Sequence, residues 1–294
     1  MTMMTGVGQG TRLRWRARAR ALLLALGALA APLGPGGRAA AQVPDSAKKA
    51  AEDTVNQRIA QRARREVLRE AHHVRWYEVV GAATAVVGAM ALDEPIQRFA
   101  QNHRSKTTDD ISNVFRQEGE PLFYAGVSLG TLAAGTIAGN HDIQRAGGRM
   151  VAAVALSGIF MGGTKVLLGR SRPNEGVGAF RFHPFSSLTD SAGFSTRGSM
   201  PSGHTTAAFA IATSLADDIH HPIVDALLYT FAAGTAYSRI NDNRHWFSDT
   251  VAGALLGVTA GKLVSGRWRI FNLKPPSILV TPTGTPEVSF HVDF

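Results

Sequence analysis

Cysteine and long hydrophobic runs are what this chain of 294 residues most clearly lacks. Because it contains no cysteine, the protein forms no disulfides, an absence that neither supports nor opposes export. Most apolar runs are shorter than the roughly 20 residues that a membrane-spanning helix needs, and the mean hydropathy is close to zero. We therefore favour a bundle folded outside the membrane and keep an integral enzyme with six spans as the main alternative.

Three common functional patterns are also missing. No HExxH pattern occurs, and the adjacent pairs His72-His73 and His220-His221 would diverge on a helix, so we predict no metal site. The run GGTK has Thr164 between the glycines and Lys165, which departs from the loop that cradles nucleotide phosphates. The formal charge of +9 lies partly at the amino terminus and lacks an accompanying basic and aromatic surface pattern. We expect no nucleic-acid partner and no cofactor.

The amino terminus predicts export. Arginines between Arg12 and Arg20 precede the apolar run ALLLALGALAAPL, and RAAAQ offers small residues for cleavage after Ala41. Residues 1–41 are therefore predicted to be a bacterial signal peptide. The mature protein would then lie on the periplasmic side of the envelope.

Residues 42–76 are predicted to form a charged amphipathic helical segment. Apolar residues recur every four positions, and arginines line another face: Val55, Ile59, Ala63 and Val67 against Arg58, Arg62, Arg65 and Arg69. Such a helix could attach to anionic lipid or lie solvated against the domain, and we favour the second interpretation.

Residues 77–270 are predicted to form an all-α domain with a core of six helices, because apolar segments rich in Gly and Ala recur along it. The predicted segments are Val79 to Leu92, Leu122 to Gly139, Met150 to Gly169, Thr205 to Leu215, Ile223 to Tyr237 and Thr250 to Val264. Residues 271–294 read as two short strands around Thr283-Gly284, and we predict a hairpin packed on the bundle.

The richest chemistry lies in SRINDNRHWFSD, at Ser238 to Asp249. His245 and Asp249 are four residues apart, so on a helix the carboxylate would accept a hydrogen bond from one ring nitrogen and leave the other unprotonated. His245 is therefore a candidate nucleophile. Arg239 precedes the turn-rich INDN, so its guanidinium could fold back onto a phosphate bound beside His245.

Two further stretches add phosphate-binding groups. In PSGH, Ser202 and Gly203 precede an apolar helical run, so free N–H groups and the positive end of the helix dipole would face an anion there. In KVLLGRSRP, Lys165 ends a long apolar run, where a cation needs a counter-ion, and Arg172 stands just before Pro173, which we expect to stop the helix. Helix order brings all three stretches to one end of the bundle.

The three stretches together resemble the signature of the type 2 phosphatidic acid phosphatase and vanadium haloperoxidase superfamily, and every fixed position of that signature is filled. The resemblance covers roughly residues 81–266 and implies an all-α scaffold and a metal-independent phosphohistidine mechanism. It implies His204 as general acid beside His245 and Asp249, with phosphate held by Lys165, Arg172, Ser202, Gly203 and Arg239.

Several alternatives stay open at this stage. The substrate is predicted to be a phosphomonoester, or a lipid phosphate or diphosphate, and membrane association and oligomeric state are not fixed. A vanadate-dependent haloperoxidase is the first alternative function, since vanadate mimics the trigonal phosphoryl transition state. A non-catalytic phospholipid-binding envelope protein is the second. The 174–200 insertion, with its phenylalanines, is either a flap that selects an apolar leaving group or a packed loop.

Overall fold

The computed structural model describes residues 71–118, 121–189 and 197–270, with the backbone of strands 277–280 and 286–289, and the architecture is all-α. The first five helices are α1 (Trp76–Met90), α2 (Asp93–Asn102), α3 (Lys106–Glu118), α4 (Pro121–Ile137) and α5 (His141–Leu168). A 3-10 turn at Pro173–Glu175 and the short α6 (Ser186–Thr189) follow. The bundle is completed by α7 (Gly203–Ile219), α8 (Pro222–Asn241) and α9 (Phe247–Val264).

The six predicted helices are confirmed as α1, α4, α5, α7, α8 and α9, whereas α2 and α3 were not predicted. Their sequences, DEPIQRFAQN and KTTDDISNVFRQE, are polar on average, so they carry no apolar run. Both helices pack on α8 near its carboxyl end. Gln101 of α2 donates to the carbonyl of Ile240, and Asn241 donates to Asp109 of α3. The pair therefore supports the turn that follows α8.

Helix α7 lies at the centre of the bundle and contacts α4, α5, α8 and α9. Its closest neighbour is α9, where a Cβ on Gly257 would collide with the carbonyl of Thr206. One core cluster joins Met150 and Ile211 with Ala232, and a second surrounds Ala153 and Ala260. The alanine and glycine content thus serves close helix packing, as the sequence predicts.

Alternating helix directions bring the three stretches that contain Lys165, Ser202 and His245 together at one end, which we call the site end. Helices α1, α5 and α8 finish there, whereas α7 and α9 begin there. Ser202 N donates to the carbonyl of Asp249, which ties the start of α7 to the start of α9 at 3.0 Å. The predicted convergence is confirmed. The opposite end, which we call the distal end, holds the start of α5 and the ends of α7 and α9.

Helix α5 ends before Pro173, contrary to the expectation that this proline stops it. Gly169 adopts a left-handed conformation at φ 56° and closes the helix, its N–H bonded to the carbonyl of Lys165. A Cβ at Gly169 would also collide with the carbonyl of His183, so the part of the insertion around His183 packs directly on this turn. Arg172 consequently leaves the helix in extended backbone.

Four short strands complete the described structure. β1 (His72–His73) pairs in parallel with β2 (Trp268–Arg269), so the segment just before α1 is a strand where a helix was predicted. β3 (Ser277–Val280) and β4 (Pro286–Ser289) form the predicted antiparallel hairpin, and β3 contacts α5. The predicted signal peptide and the amphipathic repeat at 55–69 lie outside the described residues.

One of the described helices, α5, is long and apolar enough to cross a membrane. Helices α1 and α2 pass the same test only when taken together as a pair bent by 49°. Core helices of soluble proteins pass this test too, so it is weak evidence for a spanning topology.

Candidate active site

The end of α5 and the extended segment after it supply two cations. Lys165 lies in the last turn of α5, is buried, and donates from Nζ to the carbonyl of Gly198. Arg172 is half-buried and donates from Nη1 to the carbonyl of Arg244 at 3.2 Å. The first stretch is therefore joined both to the loop before α7 and to the loop before α9.

The start of α7 matches its predicted form. Ser202 is the residue before the helix, in extended conformation, and Gly203 is its first residue. Thr205 Oγ1 donates to Ser202 Oγ at 3.0 Å, so the Ser202 hydroxyl keeps its own proton for an anion. The Ser202 N–H is committed to Asp249, which leaves the first N–H groups of α7 itself to face an anion. His204 is half-buried in the first turn.

His245 is not helical, contrary to the expectation of a helical pair with Asp249. α8 continues to Asn241 and α9 begins at Phe247, so His245 lies in the connecting loop. Asp249 caps the start of α9 by accepting from the N–H of Trp246 at 2.9 Å, and this brings its carboxylate back toward His245. The backbone N–H of His245 bonds the carbonyl of Arg239, which draws the loop onto the last turn of α8.

The orientation of the His245 ring follows from two contacts. Its Nδ1 lies 2.7 Å from the carbonyl oxygen of Ser199 and 3.6 Å from Oδ2 of Asp249. A carbonyl can only accept, so Nδ1 carries the hydrogen and Nε2 is left unprotonated. Nε2 lies 3.4 Å from Nη1 of Arg172. The closest partner of Nδ1 is therefore a backbone carbonyl, and the predicted carboxylate contact is a longer one.

Burial lowers the pKa of the His245 imidazole to about 3, although Asp249 acts in the opposite direction. The ring is therefore neutral at physiological pH, as a nitrogen nucleophile must be. Burial also lowers the pKa of the Arg172 guanidinium to about 10, reinforced by the positive charges of Arg244 and Arg239. Mutual repulsion among cations around one histidine is the electrostatic condition that a bound dianion relieves. Arg244 was not among the predicted residues.

The sequence patterns also missed the partners of Asp249. Arg170 Nη1 donates to Asp249 Oδ1 at 2.7 Å, and Ser199 Oγ donates to Oδ2 at 2.5 Å. Asp93, at the start of α2, accepts from Arg170 Nη2 at 2.6 Å. These residues are fully buried. Arg170 stands inside the first stretch, yet no spacing rule marks it, and Asp93 belongs to an unpredicted helix.

Within the described part of the chain, no group of three or more His, Asp or Glu residues could hold a metal ion. The structure brings together Lys165, Arg172, Arg239, His245 and Asp249 at the site end, with Ser202, Gly203 and His204 at the start of α7 beside them. What this arrangement offers is an unprotonated imidazole among cations and helix N–H groups. It is chemically suited to attack on a phosphoryl group.

The chain is similar in part to known proteins. Residues 146–270 match the family model of the PAP2 superfamily. A lipid A 1-phosphatase of Porphyromonas gingivalis is 37% identical over 127 residues, which is 41% of this chain and 24% of the relative. The chain thus spans about a quarter of the length of that curated relative.

Two solved structures also show partial similarity to this chain. LpxE of Aquifex aeolicus is 22% identical, with a TM-score of 0.42, over 58% of this chain and 92% of that one. A transmembrane PAP2-type phosphatidylglycerolphosphate phosphatase of Bacillus subtilis is 18% identical, with a TM-score of 0.47, over 65% and 95%.

Proposed function

We propose that the protein is a metal-independent phosphatase that acts through a phosphohistidine on His245. The observation that carries the proposal is the orientation of this ring. Nδ1 is held by the carbonyl of Ser199, and the unprotonated Nε2 is directed to Arg172, where a phosphate would bind. A neutral imidazole with a fixed tautomer needs no further deprotonation before it attacks phosphorus.

In the first half of the reaction, Nε2 of His245 forms a bond to phosphorus as the ester P–O bond breaks. Lys165, Arg172 and Arg239 hold the phosphoryl oxygens, with the Ser202 hydroxyl and the Gly203 N–H at the start of α7. His204 gives a proton to the departing oxygen, which leaves as an alcohol. The site thus stabilises charge on both sides of the bond being exchanged.

In the second half, water attacks the phosphohistidine and the P–N bond breaks. His204, which gave up its proton in the first half, takes one from the attacking water. His245 returns to its neutral form with Nδ1 still bonded to Ser199. Inorganic phosphate is released and the enzyme is ready for another turnover.

The substrate that we propose is a lipid phosphate at a membrane surface. Beside the site, the loop after Arg172 exposes large apolar side chains: Val177, Phe180, Phe185 and Leu188. Helices α1 and α4 expose more of them, including Trp76 at 76% and Leu122 at 86%. Exposed apolar area of this extent is typical of a surface that contacts lipid or another protein. The relative from Porphyromonas gingivalis is named for activity on a lipid phosphate.

We further propose that the enzyme works on the periplasmic side of the envelope after export. The basis is the sequence of the amino terminus, with its arginine-rich start, short apolar run and small residues before Gln42. The proposal is tested by extracting envelopes with carbonate and locating the mature amino terminus. Retention in the membrane pellet with an uncleaved amino terminus would contradict it.

The test of the phosphatase function is phosphate release from a panel of lipid phosphates, lipid diphosphates and soluble monoesters in EDTA. Wild type should release phosphate, most rapidly from a lipid phosphate, and His245→Ala should not. Arg149→Met, a change at the distal end, is the matched control and should retain activity. Absence of release, release by His245→Ala, or loss of activity in EDTA would contradict the proposal.

A further inference from the structure

Arg170 is a fully buried guanidinium that contacts four separate parts of the site end. Nε and Nη2 donate to the carbonyl of Ala179, at 2.9 and 2.6 Å. Nη2 also donates to Asp93, and Nη1 donates to Asp249 and to the hydroxyl of Ser248. Phe182 and Trp246 flank the guanidinium at 5.3 and 5.7 Å from its carbon. Every N–H group of the Arg170 guanidinium therefore has an acceptor.

Asp93 completes the support from the other side. Its Oδ1 accepts from the N–H of Ser248 at 2.7 Å. Its Oδ2 accepts from the hydroxyl of Ser248 at 2.7 Å and from Arg170 at 2.6 Å. Asp93 thus fixes both Arg170 and the first turn of α9, directly before Asp249.

The result is a continuous chain of contacts from Asp93 to the proposed nucleophile. Arg170 occupies Oδ1 of Asp249, and Oδ2 is left for the Ser199 hydroxyl and the Trp246 N–H. Ser199 in turn holds Nδ1 of His245 through its carbonyl, and its own N–H bonds the carbonyl of Arg170. Arg170 therefore holds Ser199 directly through its backbone carbonyl, and indirectly through the Asp249 carboxylate that its side chain binds.

We propose that Arg170, held by Asp93, is the positioning residue that fixes Asp249 and the Ser199 loop, and through them the reactive tautomer of His245. Arg170 does not touch the phosphate, because its donors are committed to protein oxygens. The inference rests on the proposed phosphatase function. It assigns a role to Arg170 and Asp93, neither of which is among the predicted phosphate-binding residues.

The chemistry at this position calls for arginine and not for any cation. A guanidinium is a planar fork that binds two carboxylates and a carbonyl at once, whereas an ammonium is a single point on a flexible stem. Its charge also offsets two buried carboxylates. Burial alone raises the pKa of Asp249, and its contacts with His245 and Arg170 outweigh burial and lower it below its ordinary value. Losing Arg170 would therefore favour a protonated Asp249.

The contact with Ala179 extends the same chain to the loop that carries the exposed Phe180. Ala179 is fully buried, and Phe180 beside it is 64% exposed. The position of this loop at Ala179 is therefore fixed by the same guanidinium that binds the Asp249 carboxylate. A substrate that contacts this loop and shifts it would therefore change the positions of Asp249 and His245 through Arg170.

The variants that test the proposal are Arg170→Lys, Arg170→Met and Asp93→Asn, measured with nitrophenyl phosphate. We expect kcat to fall about tenfold in Arg170→Lys and Asp93→Asn and about a hundredfold in Arg170→Met, with KM changed less than about threefold. The acidic limb of the pH profile of Arg170→Met should move to higher pH, because Asp249 has lost its cation. A purely structural role would leave this limb in place.

Two controls separate positioning from folding. Arg170→Met/Asp93→Asn removes one buried charge of each sign, so its melting temperature should rise toward that of wild type while kcat stays low. Arg149→Met removes an arginine that pairs with Asp218 at the distal end and should lower the melting temperature without changing kcat. Recovery of kcat in the double variant, or a kcat that simply follows melting temperature, would overturn the proposal.

Orthovanadate binding, measured by calorimetry, separates failure of this inference from failure of the phosphatase function. If wild type hydrolyses nothing but binds vanadate, the phosphatase function fails, and a loss of about tenfold or more in affinity in Arg170→Met sustains the positioning role. Equal affinity in both proteins overturns the positioning role. If wild type hydrolyses phosphate and Arg170→Met matches it in kcat and pH profile, the function stands and the inference fails. If wild type neither hydrolyses nor binds, both fail.

Discussion

The two ends of the bundle both pair arginine with aspartate, but in different surroundings. At the distal end, Arg149 pairs with Asp218 and Lys262 with Asp217, and the side chains are between 9% and 26% exposed. At the site end, Arg170 pairs with Asp93 and Asp249, and all three are fully buried. Water screens the distal pairs, whereas the site-end carboxylates depend entirely on protein groups.

The comparison shows that the site end, unlike the distal end, contains an unfavourable burial of charge. Burying three charged side chains is unfavourable unless their hydrogen bonds are complete, and a well-packed apolar cluster would be at least as stable. In the proposed mechanism, the site end keeps these charges because they orient the groups that react. The distal end needs only to close the bundle.

The largest expected effect separates the two ends by activity. His245→Ala should reduce kcat by about ten-thousand-fold or more, because no other described group is placed to form the covalent intermediate. Arg149→Met should leave kcat within about twofold. Phosphate release under saturating substrate is the measurement. Similar losses in both variants would show that the site end is not special.

The next effect concerns the fork geometry of Arg172. Its Nη1 lies 3.4 Å from Nε2 of His245 and also bonds the carbonyl of Arg244. Arg172→Lys keeps the charge, but an ammonium group cannot make both of these contacts with the geometry of the guanidinium. We therefore expect kcat/KM to fall about a hundredfold. The same exchange at the distal end, Arg149→Lys, should cost less than about twofold. A fully active Arg172→Lys would mean that charge alone is needed there.

The pH dependence of the free energy of unfolding should depend on His245 at the site end and not on Arg149 at the distal end. The pKa of His245 is lowered by burial from 6.5 to about 3, so between these values the unfolded chain binds a proton that the folded chain does not. Stability should therefore fall as pH drops below 6.5, by up to roughly 1 kcal/mol per pH unit from this group, and the loss should level off near pH 3.

Chemical denaturation between pH 4.5 and pH 7 measures this dependence. His245→Asn should show a shallower slope than wild type, and Arg149→Met should keep the slope of wild type. An unchanged slope in His245→Asn would mean that His245 is not held neutral in the folded protein.

The smallest expected effect concerns the exposed loop beside the site. Phe180→Ser and Leu188→Ser should lower the ratio of kcat/KM for a lipid phosphate to that for nitrophenyl phosphate by about fivefold, since an acyl group would lose apolar contact area. Ile159→Ser, at an equally exposed position in α5, is the control and should leave the ratio unchanged. A ratio unaffected by either loop variant would remove the loop from substrate selection.

The sequence predicted those parts of the fold that leave a periodic or local signal. Apolar runs predicted α1, α4, α5, α7, α8 and α9, and the run that follows PSGH placed Ser202 before α7. Helices α2 and α3 were missed because they are polar on average, and part of their contact with the bundle is made by polar groups, as in the bonds from Gln97 to Asn243 and from Ser112 to Asp242. Propensity and hydrophobic pattern carry little information about such contacts.

The site shows the same division. The motif spacing predicted His245 and its cations as site residues, because they stand at the fixed spacing of the signature that the three stretches resemble. It misplaced the main partner of Nδ1, which is the backbone carbonyl of Ser199, and a backbone atom has no sequence signature. Asp93 and Arg170 are 77 residues apart and meet only in the folded protein. Their burial follows from the packing of α2 against α9, which no local pattern encodes.

The proposed mechanism depends on covalent transfer of phosphate to His245, and trapping of that intermediate tests this step. With nitrophenyl phosphate the leaving group needs no acid, so His204→Ala should still form the phosphohistidine but lack the base that activates water. After an alkaline quench, mass spectrometry should find the phosphoryl group on the peptide that contains His245, and not in His204→Ala/His245→Ala. Steady turnover with no phosphorylated His245, or phosphate on another residue, would contradict the account.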